Sequence, residues 1–378
     1  MIKESSKKRY NVIMITIDGA RIDRIRKFKN FRKLINKGAF FSQVIAYAPY
    51  TIAGLHSIFS GTYGNKTGVD NYYGSYSFKK NFYKTITQYM KNNDYYTIGD
   101  IINELVIPKE GFDELRIHDE YKDNLTDRHS GLLVKAEKLK KEKKNFFLYL
   151  HYSNIHTRIK INVSRKYTNY SEEYFDNKEE NLKAYDSYLE KGDEYLGVIF
   201  NKIKELGLND SIIIVHSDHG ISTGEKFGER TYGVFCYDYT VKAFTFFIQP
   251  KIFPIKEIKQ LVRTIDTAPT IIDVLGFDED QNYKKMDGKT MMPLIMGKTD
   301  ERYGFIEAGN PLKTGAPPRK PNIRAIRTSK WKFIHNYWDD SEELYDIEKD
   351  PDEENNLIKT NKDVADRLKE KLNRELMQ

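Results

Sequence analysis

Residues 212–220, which read I-I-I-V-H-S-D-H-G, constrain the fold more than any other stretch. Ile212, Ile213, Ile214 and Val215 are β-branched; such side chains suit a pleated strand better than a helix. An apolar run without alternation needs cover on both faces, the environment of a parallel strand inside an α/β sheet. The run stops at Ser217-Asp218-His219-Gly220, so a carboxylate and an imidazole emerge at the strand's carboxyl end. That rim is where open α/β sheets bind their ligands. Residues 11–17 (N-V-I-M-I-T-I) have the same form and end in Asp18-Gly19, and residues 145–151 (N-F-F-L-Y-L-H) are followed by Ser153-Asn154-Ile155-His156.

Helical spacing is present at 21–37 (Ile25, Phe28, Phe31, Leu34 and Ile35 on one side, Gly38 as the stop), 52–59, 82–92, 181–206 and 266–275. A basic helix with a solvated face is predicted over 135–144, and strands over 40–46, 95–98 and 243–248. Residues 157–181 are polar and tyrosine-rich without clear period, and read as a long loop over the site. Toward the end, 322–337 alternates like an antiparallel pair around Thr328-Ser329-Lys330, followed by Leu344-Tyr345-Asp346-Ile347 and a charged helix at 362–376. The fold class is therefore α/β: a large central, mostly parallel mixed sheet with helices on both faces, over residues 1–300. A small antiparallel subdomain with a terminal helix is expected over 301–378.

The 62 lysines and arginines against 55 acidic residues leave a formal net charge of +7 over 378 residues. This suits an anionic substrate and implies no nucleic-acid partner. The single cysteine, Cys236, excludes an internal disulfide and a cysteine-built zinc site, and reads as a buried thiol. Met1 leads into Lys3, Lys7, Lys8 and Arg9, and the apolar run at 12–17 is too short for a signal sequence or a membrane span. No later run is long enough either, so the expectation is a soluble, cytoplasmic protein. The 27 tyrosines follow a general compositional bias and point to no mechanism.

Thr51 opens the helical stretch at 52–59, where backbone N–H groups and the helix dipole favour an anion. Its plain reading is a threonine N-cap; the other is a nucleophile whose oxygen is also a metal ligand. Asp18, Thr51, Asp218 and His219 can all reach the same rim. Two carboxylates, an imidazole and a hydroxyl suit one divalent cation, zinc or manganese first, calcium or magnesium also possible. Taken singly, Asp18 could begin a turn and His219 could be a surface histidine.

At this point the chain resembles the sulfatase-like branch of the alkaline phosphatase superfamily. Asn11–Asp18 is similar to that family's first strand and metal-binding aspartate, and Ser217-Asp218-His219-Gly220 to its second metal-binding strand end. Thr51 lies nine residues before Ser60-Gly61, the family's spacing for its nucleophile. Gly111-Phe112-Asp113, Asp266-Thr267-Ala268-Pro269-Thr270, Asp287-Gly288-Lys289-Thr290 with Pro293-Leu294, Lys330-Trp331-Lys332-Phe333-Ile334, Leu344-Tyr345-Asp346 and Asp350-Pro351 resemble its later motifs in order. The resemblance implies that His156 contacts the substrate or protonates the leaving oxygen. It also implies that Arg230 supplies a substrate-binding cation. His56 and His216 are read as structural.

The departures bear on the chemistry. Sulfatases of this branch carry Cys or Ser in Cys/Ser-x-Pro-x-Arg and oxidise it to formylglycine; here the window is Thr51-Ile52-Ala53-Gly54-Leu55. The second N-terminal aspartate is Gly19, and Gly99-Asp100-Ile101-Ile102 stands where a Gly-Lys-x-His stretch would hold sulfate. The first expectation is thus a metal-dependent hydrolase or transferase of phosphate mono- or diesters, working through a covalent intermediate on Thr51. The alternatives are a sulfatase that works without formylglycine, or an inactive anion-binding relative. The expected partner is an anionic small-molecule, glycan or lipid-headgroup ester.

Overall fold

The apolar runs become the central strands of one sheet in a computed structural model that describes residues 9–312 and 316–377. The basic lead at Lys3, Lys7 and Lys8 lies outside the described residues. The strands of the main sheet are β1 (Val12–Ile17), β2 (Ala39–Ile45), β3 (Tyr95–Ile101), β4 (Glu114–Ile117), β5 (Asn145–Tyr152), β6 (Ile212–His216), β7 (Lys242–Ile248), β8 (Lys256–Ile258) and β9 (Val262–Arg263). Their order is β4-β3-β5-β1-β6-β7-β2-β8, with β9 also paired to β2. β4, β3, β5, β1 and β6 are parallel neighbours, and β7 runs against both β6 and β2.

Both faces of β1, β5 and β6 are buried, as unbroken apolar runs require. Ile13, Ile15, Leu148, Leu150, Ile213 and Val215 pack against Leu132, Leu133, Leu189, Leu196 and Ile199 from helices Leu125–Lys141 and Lys178–Glu205. On the other face Val12, Met14, Phe147, Ile212 and Ile214 pack against Leu55, Ile58 and Phe59 of helix Thr51–Ser60, and against Ile271 and Ile272. Because the central strands point the same way, Asp18, His151 and Asp218 all arrive at one rim.

Three local expectations change. The helix expected over 21–37 is two, Ile22–Ile25 and Lys29–Ile35, because Phe28 is extended (φ −101°, ψ 144°) and the Asp193 carboxylate accepts from Phe31 N at 2.8 Å. The basic helix is longer, Leu125–Lys141, started by Asn124, whose side chain accepts from Thr126 N and Asp127 N, and its inner side buries Leu132 and Leu133. The expected loop over 157–181 is helical: Asn154–Ile159 runs into a wider turn at Lys160–Ser164, then Glu172–Asp176 and the start of Lys178–Glu205. Ile155, Ile159 and Val163, spaced by four, are all buried and supply its apolar side.

A second, antiparallel sheet follows: β10 (Gly304–Ala308), β11 (Ile323–Arg327), β12 (Trp331–Asn336) and β13 (Ser341–Asp346), in chain order. Phe305, Ile326, Phe333 and Leu344 pack on Leu368 and Leu372 of the terminal helix Lys362–Met377. The other face meets the buried Cys236. Lys332 is fully buried, with Nζ 2.5 Å from Asp238 Oδ1, 2.7 Å from Glu353 Oε1 and 2.9 Å from Cys236 O. Removing one member of such a buried ionic group leaves the others uncompensated. Lys332→Ala is therefore expected to lower unfolding stability by roughly 3–5 kcal/mol in urea melts. No helix among the described residues is long and apolar enough to cross a membrane.

Candidate functional site

Helix Thr51–Ser60 points its first residue at the rim. Tyr50, not Thr51, occupies the N-cap position, with extended backbone (φ −155°, ψ 153°), and Gly61 ends the helix at φ 63°. The Thr51 hydroxyl turns toward the strand ends: Oγ1 donates to Asp18 Oδ2 at 3.3 Å and lies 3.2 Å from His219 Nε2. The threonine N-cap reading is thereby replaced by a hydroxyl aimed at the carboxylate and imidazole.

Two glycines make the approach of these groups possible. Gly19 sits at φ 71° immediately after Asp18, and its N–H donates to Asp218 Oδ1 at 3.3 Å. At Gly220 an added Cβ would lie 2.2 Å from Tyr239 O, and the Gly220 N–H donates to Thr240 O at 2.7 Å. Gly220→Ala would force the His219 turn away from the backbone of 239–240. It is expected to lower the melting temperature by several degrees, about 1–3 kcal/mol, and to weaken metal binding in a calorimetric titration.

The donor set asks for a cation. Asp18 Oδ1 and Asp218 Oδ2 are buried and have no hydrogen-bond partner among the described residues, yet they lie 3.6 Å and 3.5 Å from His219 Nε2. His219 Nδ1 sits 2.7 Å from Gly220 O. The proton therefore belongs on Nδ1, which turns the Nε2 lone pair toward the carboxylates. Ligand atoms of Asp18, Asp218 and His219 all fall within 4.8 Å of one another. Buried acceptors that converge without a donor are what a divalent ion satisfies.

The protonation of the pair fits this. Burial alone would raise the Asp18 carboxyl, but the hydrogen bond from His151 and the fields of His156, His151 and His219 hold it well below the usual carboxylate range. Asp218 is pushed up to about 6 by burial and by the neighbouring Asp18. Two buried carboxylates thus share too little positive charge in the protein alone.

His151 had no role from its position in the third apolar run. Its Nε2 donates to Asp18 Oδ2 at 3.0 Å, so it orients that carboxylate. His156 stands beside the site: its proton affinity is lowered by burial against the opposing pull of Asp18 and Glu120. The ring of Tyr232 covers both His219 and His156, with centroids 5.2 Å and 5.4 Å away. Neither His151 nor Tyr232 carries a motif; each is identified by three-dimensional proximity. Arg230 makes no hydrogen bond or ion pair to these groups; its Nε and Nη1 are buried and have no partner among the described residues. His56 Nδ1 bonds Ile52 O and His216 Nε2 bonds Thr16 Oγ1, which keeps both structural. Asp100 is fully buried and pairs with Arg128 and His118.

The chain is 27% identical over 273 residues to human N-acetylglucosamine-6-sulfatase, covering 62% of this chain and 46% of that protein. It spans less than half the length of the curated relatives it matches. A protein solved in complex with its substrate D-glucosamine-2-N,6-O-disulfate superposes at a TM-score of 0.74 with 18% identity, over 97% of both chains. A phosphonate monoester hydrolase from Silicibacter pomeroyi superposes at 0.71 with 16% identity, over 98% of this chain and 95% of that one. The family model for the N-sulphoglucosamine sulphohydrolase C-terminal region matches residues 233–378. The sulfatase model matches residues 10–277, which hold both strand ends and the helix of Thr51, and the chain belongs to the sulfatase family of the alkaline phosphatase superfamily.

Proposed function

We propose that this chain is a metal-dependent hydrolase of sulfate esters carried on a sugar, with Thr51 as nucleophile in place of formylglycine. The observation that carries it is the Thr51 hydroxyl, 3.3 Å from Asp18 Oδ2 and 3.2 Å from His219 Nε2, in a family of sulfatases. The order of the two ester readings reverses from the sequence expectation, because the relatives it matches are sulfatases.

Asp18, Asp218, His219 and the Thr51 oxygen would hold the ion, which would lower the hydroxyl's pKa and neutralise charge on the transferred group. Three oxygens and one nitrogen form a harder set than zinc's usual nitrogen and sulfur ligands, which moves the expected metal toward manganese or calcium. Thr51 Oγ1 attacks sulfur, and the Oγ1–S bond forms as the bond from sulfur to the sugar oxygen breaks. Asp18, which His151 keeps in place, accepts the hydroxyl's hydrogen bond and orients Oγ1; its own proton affinity is too low to keep the proton, which passes to solvent. His156 gives a proton to the departing sugar oxygen; burial lowers its proton affinity against the pull of Asp18 and Glu120, so the proton is readily released. Water then attacks sulfur as the Oγ1–S bond breaks; one of its protons returns to Oγ1, restoring the hydroxyl, the other goes to the now neutral His156, and sulfate leaves. Arg230, short of acceptors, is available to an anionic substituent of the substrate.

Tyr232 offers an aromatic face beside His219 and His156. Tyr232→Ala is expected to raise KM for a sulfated sugar roughly 3–10-fold, as loss of an aromatic contact of 0.5–1.5 kcal/mol would, while Tyr232→Phe stays near wild type.

Thr51 itself favours a second reading, hydrolysis or transfer at phosphate mono- or diesters. Asp100, locked in its own network where the family would place a sulfate-holding lysine stretch, favours it too. Measuring kcat/KM on 4-nitrophenyl sulfate, 4-nitrophenyl phosphate and the bis-ester separates them. The sulfate is expected to lead; a phosphate ester ahead by tenfold or more would move the assignment to the second reading. No turnover together with no bound metal would leave an anion-binding relative.

A further inference from the structure

One strand across the sheet from β5, a second group of ligating side chains converges at the same rim. Asp100 is near the end of β3, His118 follows β4, and His129 is on helix Leu125–Lys141; all three side chains are buried. Their ligand atoms lie within 4.8 Å of one another. We propose that Asp100, His118 and His129 form a second divalent-metal site, of zinc type, with three protein ligands and a water as the fourth.

The far nitrogens of the two imidazoles are already anchored. His118 Nε2 is 2.8 Å from Ser153 Oγ, and His129 Nδ1 is 2.7 Å from Tyr195 OH. A ligating histidine is normally oriented in this way, through its remote N–H. The near nitrogens both face Asp100: His118 Nδ1 is 3.1 Å from Oδ1, and His129 Nε2 is 3.8 Å from Oδ2. The second distance is too long for a hydrogen bond, and His129 Nε2 has no partner among the described residues. Two ligands each about 2.0–2.1 Å from a tetrahedral ion sit about 3.3 Å apart; the 3.1 Å and 3.8 Å separations, to the two oxygens of the one carboxylate, are of that order.

Arg128 also bonds Asp100, through Nε to Oδ2. A carboxylate has about four lone-pair positions, so a guanidinium and an ion can share it. Asp123, 3.4 Å from Arg128 Nη1, offsets the added positive charge. The Arg128 side chain is 27% exposed, so the cluster is connected to solvent through this residue.

Asp100, His118 and Ser153 are also in the order of an acid–base–nucleophile relay. Ser153 is fully buried, with nowhere for a substrate to meet its oxygen, and that reading leaves His129 unexplained. A metal accounts for both histidines. It would tie β3, the segment after β4 and helix Leu125–Lys141 together behind His151, whose ring lies 6.2 Å from that of His118. In that way it would stiffen the support of Asp18.

The test reads binding and not turnover, so it stands or falls apart from the ester assignment. Chelator-treated full chain is titrated with zinc alone by calorimetry, and cobalt is titrated separately for its visible spectrum. One zinc equivalent is expected to be present in wild type and in Asp218→Asn and lost in His129→Ala, whether or not the Asp18–Asp218–His219 site also takes zinc. The intense cobalt bands of a four-coordinate nitrogen-rich site should persist in Asp218→Asn and vanish in His129→Ala. Tyr195→Phe, which keeps the core filled, should weaken one class of site by about 10–100-fold; it decides the matter if His129→Ala does not fold. A wild type that binds one equivalent, lost in Asp218→Asn and unchanged in Tyr195→Phe, would overturn the proposal.

Discussion

Thr51→Ala is expected to lower kcat by at least about 10⁴-fold, the scale of losing a nucleophile in a covalent mechanism. The far-UV circular dichroism should be unchanged, because Tyr50 and not Thr51 occupies the N-cap, and alanine is a good first-turn residue. Thr51→Ser keeps an oxygen at the same atom and should retain a measurable fraction of the rate. Mass spectrometry after rapid quench should find the ester group on Thr51 in the wild type and nowhere in the alanine variant. Thr51→Cys is informative in a different way. With Ala53 and Leu55 at the proline and arginine positions of the formylglycine motif, the new cysteine should remain a thiol even when co-expressed with the oxidising enzyme. Full activity in Thr51→Ala would remove the hydroxyl from the mechanism.

The second large effect is expected at the paired carboxylates. Asp218→Asn should remove one equivalent of bound divalent metal and lower kcat about 10³-fold. That is the rate equivalent of about 4 kcal/mol of charge stabilisation at 1.36 kcal/mol per tenfold. Asp218 Oδ2 has no hydrogen-bond partner among the described residues and lies beside the buried Asp18. Neutralising it therefore relieves a like-charge contact, and the metal-free variant should melt no lower than metal-free wild type. Added metal should then raise the melting temperature of wild type and leave Asp218→Asn less affected. Asp340→Asn, with its side chain 92% exposed, is the control and should change neither metal content nor rate. Retention of full metal and activity in Asp218→Asn would separate the Asp218 carboxylate from the centre.

These expectations rest on residues of two kinds. Asp18, Asp218, His219 and Thr51 were legible because each ends or begins an element whose period is written locally. A buried strand announces itself by uninterrupted β-branched residues, and whatever polar group follows it must lie at the rim. Residues 157–181 show the converse. Ile155, Ile159 and Val163 carry a helical spacing across a polar background, and their burial depends on the sheet they pack against. The tyrosines set aside on composition include Tyr232, which roofs His219 and His156.

The amino-acid order alone determined that parallel strands stack in the middle of this molecule and that acidic and imidazole groups sit at their ends. Side-chain period is a short-range property, and hydrophobic burial acts on it directly. The tertiary structure decided which of those groups meet. His151 reaches Asp18 across 133 residues of chain, and Asp100 turns to His118 and Arg128, away from Asp18 and Asp218. Such pairings follow from strand register and from the paths of long connections, and neither is encoded by any window short enough to read as a pattern.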